Sequence, residues 1–152
     1  MQTRRSMLRA IFVTGASALV AQPLVAATTR KTEIKLFKKH YAPCCDGWMS
    51  HLARSGFAVR EVGVKDLDAV KNDYEIPKSL VACHTAVCEG FIIEGHVPAE
   101  YIQKLLKDHP FVRGIAVAGK PVGAPGNEKN GQKEQFDVVT FDSAGKITPF
   151  TL

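Results

Sequence analysis

The stretch "TEIKLFKKHYAPCCDGWMSHLARSGFAVREVGV" (32–64) decides the fold. "TEIKLFKK" (32–39) alternates apolar and polar side chains and ends in charge, the period of a strand. A turn containing Pro43 follows. "CCDGWMSHLARSG" then predicts a helix, because Trp48, Leu52 and Ser55 recur at helical spacing and Gly56 suits the stop. "FAVREVGV" (57–64) returns to alternation through Phe57, Val59, Val62 and Val64, with an irregularity expected between Val59 and Val62. Two adjacent thiols, Cys44 and Cys45, therefore sit where the first strand hands over to the first helix.

The rest of the chain extends this pattern. "DLDAVKNDYEI" (66–76) starts on an acidic cap, carries Leu67, Val70 and Tyr74 on one side, and predicts a short helix ending before Pro77. "LVACHTAV" (80–87) and "EGFIIEG" (89–95) predict two strands, with Glu89-Gly90 turning the chain between them. "VPAEYIQKLLKDHP" is the clearest helix: Pro98 suits its first position, Glu100 its positive end, Lys104 and Lys107 its negative end. Residues 112–134 are rich in Gly and Pro and predict a long loop after a short ordered part. "FDVVTFDSAGKITPF" predicts a hairpin about Asp142-Ser143-Ala144-Gly145. The order β-α-β-α-β-β-α, then loop and hairpin, resembles an α/β thioredoxin-like fold with an additional C-terminal β-hairpin. Such folds place reactive thiols between the first strand and the first helix.

Ahead of this domain, "TRRSMLRAIFVTGASALVAQPLVAA" has a basic start, an apolar middle and small residues at the end, the layout of a cleavable export signal over residues 1–27. Arg4-Arg5 followed by Ser6, Met7, Leu8 and Arg9 resembles the twin-arginine motif. Gly15, Gln22 and Pro23 interrupt the apolar run, which argues against a membrane span of about 30 Å. Removing the three arginines of that segment lowers the net charge from +5 to +2, so the basic balance belongs largely to the signal. No basic stripe with interleaved aromatics is present, which argues against nucleic acid as a partner. The remaining 28–152 form a single domain, expected in the periplasm.

All four cysteines, Cys44, Cys45, Cys83 and Cys88, lie in that domain. Export places them where disulfides persist. Pairing Cys44 with Cys45 would distort the peptide between them. A redox cycle would need Cys44 or Cys45 to pair with Cys83 or Cys88 across the fold, since the C-x-x-C spacing is absent. As metal ligands, successive helical side chains diverge by about 100°. Cys44 and Cys45 would then serve neighbouring ions rather than clamp one. Soft thiolates suit Cu(I), with zinc also compatible, and His84 and His96 add nitrogen donors. No serine–histidine–acid motif or carboxylate pair points to a hydrolase. The residues leave three readings open: a copper-binding protein, a thiol–disulfide or copper oxidoreductase, and a disulfide-stapled structural module.

"CCDGWMSHL", "VACHTAV", "FIIEGHVPAEYIQKLL" and "GIAVAGKPVGAPGNE" together resemble the CopG-type metal-binding family, small exported proteins associated with copper resistance, from about residue 33 to the end. The resemblance implies a copper-handling role in homeostasis or resistance, other exported copper-handling proteins as partners, and Cys44, Cys45 and Cys83 as the thiolate set. From the residues themselves, His96 or Cys88 is expected as a secondary donor, with Trp48, His51 and His84 as supporting neighbours; at Cys88 the family more often has an aliphatic residue. The family writes its first motif C-G-C-C, where this chain has Ala42, Pro43, Cys44 and Cys45. At the two methionine positions of the family's later loop stand Lys120 and Asn127, both expected at the surface.

Overall fold

A computed structural model describes residues 30–152; the expected export signal lies outside the described residues. The described residues form a mixed α/β fold of seven strands and three helices. The strands are β1 (Glu33–Lys39), β2 (Ala58–Val64), β3 (Thr85–Cys88), β4 (Phe91–Glu94), β5 (Gly114–Ala116), β6 (Val139–Phe141) and β7 (Ile147–Pro149). The helices are α1 (Pro43–Arg54), α2 (Leu67–Asp73) and α3 (Ala99–Asp108). One sheet holds all seven strands in the order β2-β1-β3-β4-β5-β6-β7. β1 and β2 run parallel around α1, while β3 is antiparallel to both β1 and β4.

Side-chain alternation assigns the faces. Ile34, Leu36, Ala86, Ile93 and Ile115 point to one side and bury Trp48 and Leu52 of α1 with Ala99, Ile102 and Leu105 of α3. Ile92, Ala116 and Phe141 point to the other, where Ile76 and Leu80 cover them. Fully burying each large apolar side chain contributes about 1.5–3 kcal/mol, so these two layers hold the sheet between them.

Two local expectations change. β2 pairs with β1 in continuous register from Glu33↔Ala58 to Lys39↔Val64, without the irregularity expected near Val59. As an edge strand it sends Val59 to the α1 side and Val62 and Val64 to the other, so the broken alternation reflects two half-covered faces. The strand expected over 80–87 starts only at Thr85, after a 3-10 turn at Lys78–Leu80. The intervening residues find partners outside the ladder: Ala82 N–H donates to the Glu94 side chain and the His84 carbonyl accepts from Gly95 N–H.

Candidate metal centre

α1 begins with Ala42 as its cap residue, which offers no side-chain oxygen, and Pro43 in the first turn. Cys44 and Cys45 follow within that turn. Cys44 is partly exposed and Cys45 fully buried. Opposite them lies the segment that leads into β3. Cys83 Sγ is 3.8 Å from Cys44 Sγ and 2.9 Å from His96 Nε2, while His84 Nδ1 is 3.4 Å from both Cys45 Sγ and Cys83 Sγ.

Two groups of three result: Cys44, Cys83 and His96, and Cys45, Cys83 and His84, the ligand atoms of each lying within 4.8 Å of one another. The adjacent cysteines fall into different groups, as diverging helical side chains require, and Cys83 is common to both. A cavity of about 390 Å³ reaches Cys44 and Cys83 from outside, lined also by Tyr41, Ala42 and Lys120. The group with Cys44 faces the entrance, and the group with Cys45 and His84 lies behind it.

The histidines are held for a purpose their geometry makes visible. His96 Nδ1 is 2.7 Å from the Pro125 carbonyl, which only accepts, so that nitrogen carries the proton and leaves Nε2 toward Cys83. Such an outward hydrogen bond fixes tautomer and orientation for a ligating ring. His84 is fully buried, its ring centroid 4.4 Å from that of Trp48 and 5.0 Å from that of His96. Its Nε2 has no hydrogen-bond partner. A buried nitrogen without a partner is costly. The ring's placement is accounted for by Nδ1 facing two sulfurs.

Electrostatics single out Cys83. Its thiol is pulled well below the ordinary range by the neighbouring Cys45 thiol, and further by His84 and His96, against the effect of burial. Cys45 is pushed the opposite way by the same pairing and by burial. His96 is raised: burial opposes its charge, but Cys83 and the Pro125 carbonyl outweigh burial. Burial lowers His84. One thiolate between two imidazoles and two further thiols is a soft donor set that fits Cu(I) and also accommodates zinc.

The other residues singled out from the sequence lie as follows. Trp48 is buried and donates from Nε1 to the Val97 carbonyl at 2.8 Å, fixing the start of α3 against α1. His51 Nε2 accepts from Ala99 N–H at 3.0 Å, so it caps α3 and sits one helical turn from Trp48. Cys88 belongs to neither group. It closes β3 inside the apolar core, about 10 Å along the strand from Thr85, and burial pushes its thiol up to about 11. Lys120 is exposed, but Asn127 is buried, contrary to expectation, because its side-chain amide donates to the Lys120 and Pro121 carbonyls and closes the loop.

Regular strand alternation would turn His84 away from Cys83, but residues 82–84 lie outside β3 and His84 faces both sulfurs. The convergence of Cys83 with His96 had a signal in the sequence. A two-residue turn at Glu89-Gly90 sets Cys88↔Phe91 and Thr85↔Glu94, so Cys83 and His96 leave the hairpin at the same end.

His51 supplies a pH prediction. Burial lowers its pKa first, with Arg54 adding and Glu100 and Glu128 opposing. The fold thus favours the neutral ring. Its contribution is complete above the unfolded value, about 6.5, and is lost as pH falls from there toward the lower folded value. Thermal midpoints should drop from pH 7 to 5 more in the wild type than in His51→Gln, whose amide oxygen can accept from Ala99 without titrating. Equal slopes in the two proteins would contradict this role.

Comparison with known proteins adds three findings. A family model described as "Protein of unknown function, DUF411" matches residues 80–127. No curated protein matches the chain. Two solved structures match over nearly their whole length, both described as copper resistance protein copG. Form 2 is 35% identical, with 79% of this chain and 96% of that one covered at a TM-score of 0.76. Form 1 is 35% identical, with 79% and 95% covered at a TM-score of 0.75.

Proposed function

Because the chain belongs to the CopG family of copper resistance proteins, we propose that it binds Cu(I) through Cys44, Cys45 and Cys83 with His84 and His96 and handles copper outside the cytosol. The observation that carries this reading is the pair of Cys/His groups sharing Cys83. Copper is the cargo. The protein's part is to present a preformed soft donor set, hold the two imidazoles in fixed orientation, and keep the inner group away from water. The missing family cysteine at Ala42 lines the entrance cavity, so its loss reduces donors on the exposed side and leaves the buried group intact.

The strand order β2-β1-β3-β4, with α1 carrying the thiols after β1, supports a thioredoxin-like core to which β5, β6 and β7 are added. Export follows from residues 1–27 through the twin-arginine route to the periplasm. Changing Arg4 and Arg5 to lysine should block export, and normal export would rule the route out. Among the described residues no helix is long and apolar enough to cross a membrane.

X-ray absorption at the copper edge tests the binding mode. Cu(I)-loaded protein should show sulfur and imidazole nitrogen together, with the nitrogen signal reduced in a His84→Ala/His96→Ala variant. An unchanged spectrum in that variant would exclude the imidazoles.

A redox reading is favoured by one distance. The 3.8 Å between Cys44 Sγ and Cys83 Sγ exceeds the disulfide length of about 2.05 Å by an amount that side-chain rotation can close.

A further inference from the structure

The motif "EGHVP" contributes His96 to the site, but its first residue, Glu94, has a different environment. Glu94 is fully buried on the opposite face of the sheet, paired with the equally hidden Lys71 of α2 at 2.5 Å. Its two carboxylate oxygens bracket the ligand-bearing segment. Oε1 accepts from Ala82 N–H at 2.7 Å, just before Cys83, and Oε2 accepts from Thr85 Oγ1 at 2.6 Å, just after His84. Lys71 Nζ also donates to Thr85 Oγ1 at 2.9 Å, so each polar group in the cluster has a partner. The backbone ties the same place from the other side, since Gly95 N–H donates to the His84 carbonyl and Val117 N–H to the Glu94 carbonyl.

We infer that Glu94, with Lys71 and Thr85, is the positioning unit of the metal centre: a buried carboxylate that grips both ends of Cys83-His84 and fixes where those two donors point. The inference rests on the copper reading above. A buried ion pair is a weak source of stability, because desolvation offsets most of its attraction, and apolar replacements of similar volume are often neutral or better. The cluster's position is the informative feature. The Cys83-His84 dipeptide lies between the Ala82–Gly119 bridge and the start of β3, and Cys83 serves both ligand groups. Groups that orient ligands from behind typically alter metal affinity about 10–100-fold when removed.

The test compares wild type with Lys71→Met/Glu94→Leu and Lys71→Met/Glu94→Gln. The apolar pair removes both charges and the grip. The Gln pair is also uncharged, but its amide can still accept from Ala82 N–H and donate to Thr85 Oγ1. Anaerobic competition against a Cu(I) chelator should show affinity falling about 10–100-fold in the Leu variant and recovering to within about threefold in the Gln variant, with thermal unfolding of the metal-free proteins similar. A folded Leu variant with wild-type affinity overturns the inference, as does a Gln variant no better than Leu. If the Leu variant does not fold, Thr85→Val removes one end of the grip alone. It should weaken binding several-fold, and unchanged affinity overturns the inference. Amide hydrogen exchange in the metal-free proteins gives a readout independent of copper. Exchange at residues 82–84 should accelerate in the Leu variant more than in the Gln variant, and equal protection overturns the positioning role even if wild type takes up no copper. Failure of wild type to bind Cu(I) would instead overturn the copper reading.

Discussion

Cys83→Ser should abolish tight Cu(I) binding, with a larger effect than either Cys44→Ser or Cys45→Ser. Cys83 belongs to both ligand groups, whereas Cys44 and Cys45 each belong to one. It is also the thiol whose pKa is driven down, through Cys45, His84 and His96, so it is the sulfur best prepared to bind a soft cation. A hydroxyl in its place is a harder and far less ionised donor. The loss should exceed the ~10–100-fold that changes behind a ligand produce. Competition titration against a Cu(I) chelator reads this directly. Equal losses in the three single variants would contradict a shared corner at Cys83.

Gly126→Ala should be among the most damaging single methyl additions near the site. Gly126 has φ +83°, where a side chain costs about 1–2 kcal/mol. Its added Cβ would collide with the backbone nitrogen of Trp48, and a Cβ on Gly47 would lie 2.7 Å from the Gly126 Cα. The loop thus crosses α1 backbone against backbone. Overpacking at such a contact adds about 1–3 kcal/mol, giving a total loss of about 2–5 kcal/mol. The consequence extends to the site, because the neighbouring Pro125 carbonyl orients His96. Chemical denaturation should show the lost stability, and copper affinity should fall with it. Wild-type stability in the variant would mean that the loop does not depend on this crossing.

Much of the frame was legible in residues 32–64. Alternation in β1 and β2 and the spacing of Trp48 and Leu52 are consequences of one buried face, and the same faces close the core. The first half of "LVACHTAV" misled because apolar content cannot reveal that Ala82 N–H would be taken by a carboxylate twelve residues away. Ala82 bridges Gly119 instead of extending β3, and His84 lies with Nδ1 against the sulfurs. Asn127 misled for a related reason. A polar side chain in a Gly/Pro-rich loop reads as solvated, but here it supplies the hydrogen bonds that the loop backbone needs to fold on itself. Cys88 and Cys83 were alike by residue type alone. Only the length of β3 separates them, leaving one thiol in the apolar core and the other at the entrance. The two histidines differ from the sequence's other three in being wholly buried, which no local pattern encodes.

The most direct measurement is an anaerobic Cu(I) titration of the reduced protein, with bound copper and free thiols counted in parallel. The two groups sharing Cys83 predict more than one tightly held copper per chain, three thiols protected from alkylation by bound metal, and Cys88 indifferent to it. No retained copper, with Cys44 and Cys83 closing into a stable disulfide instead, would contradict the account and make the sulfur pair a redox or structural link.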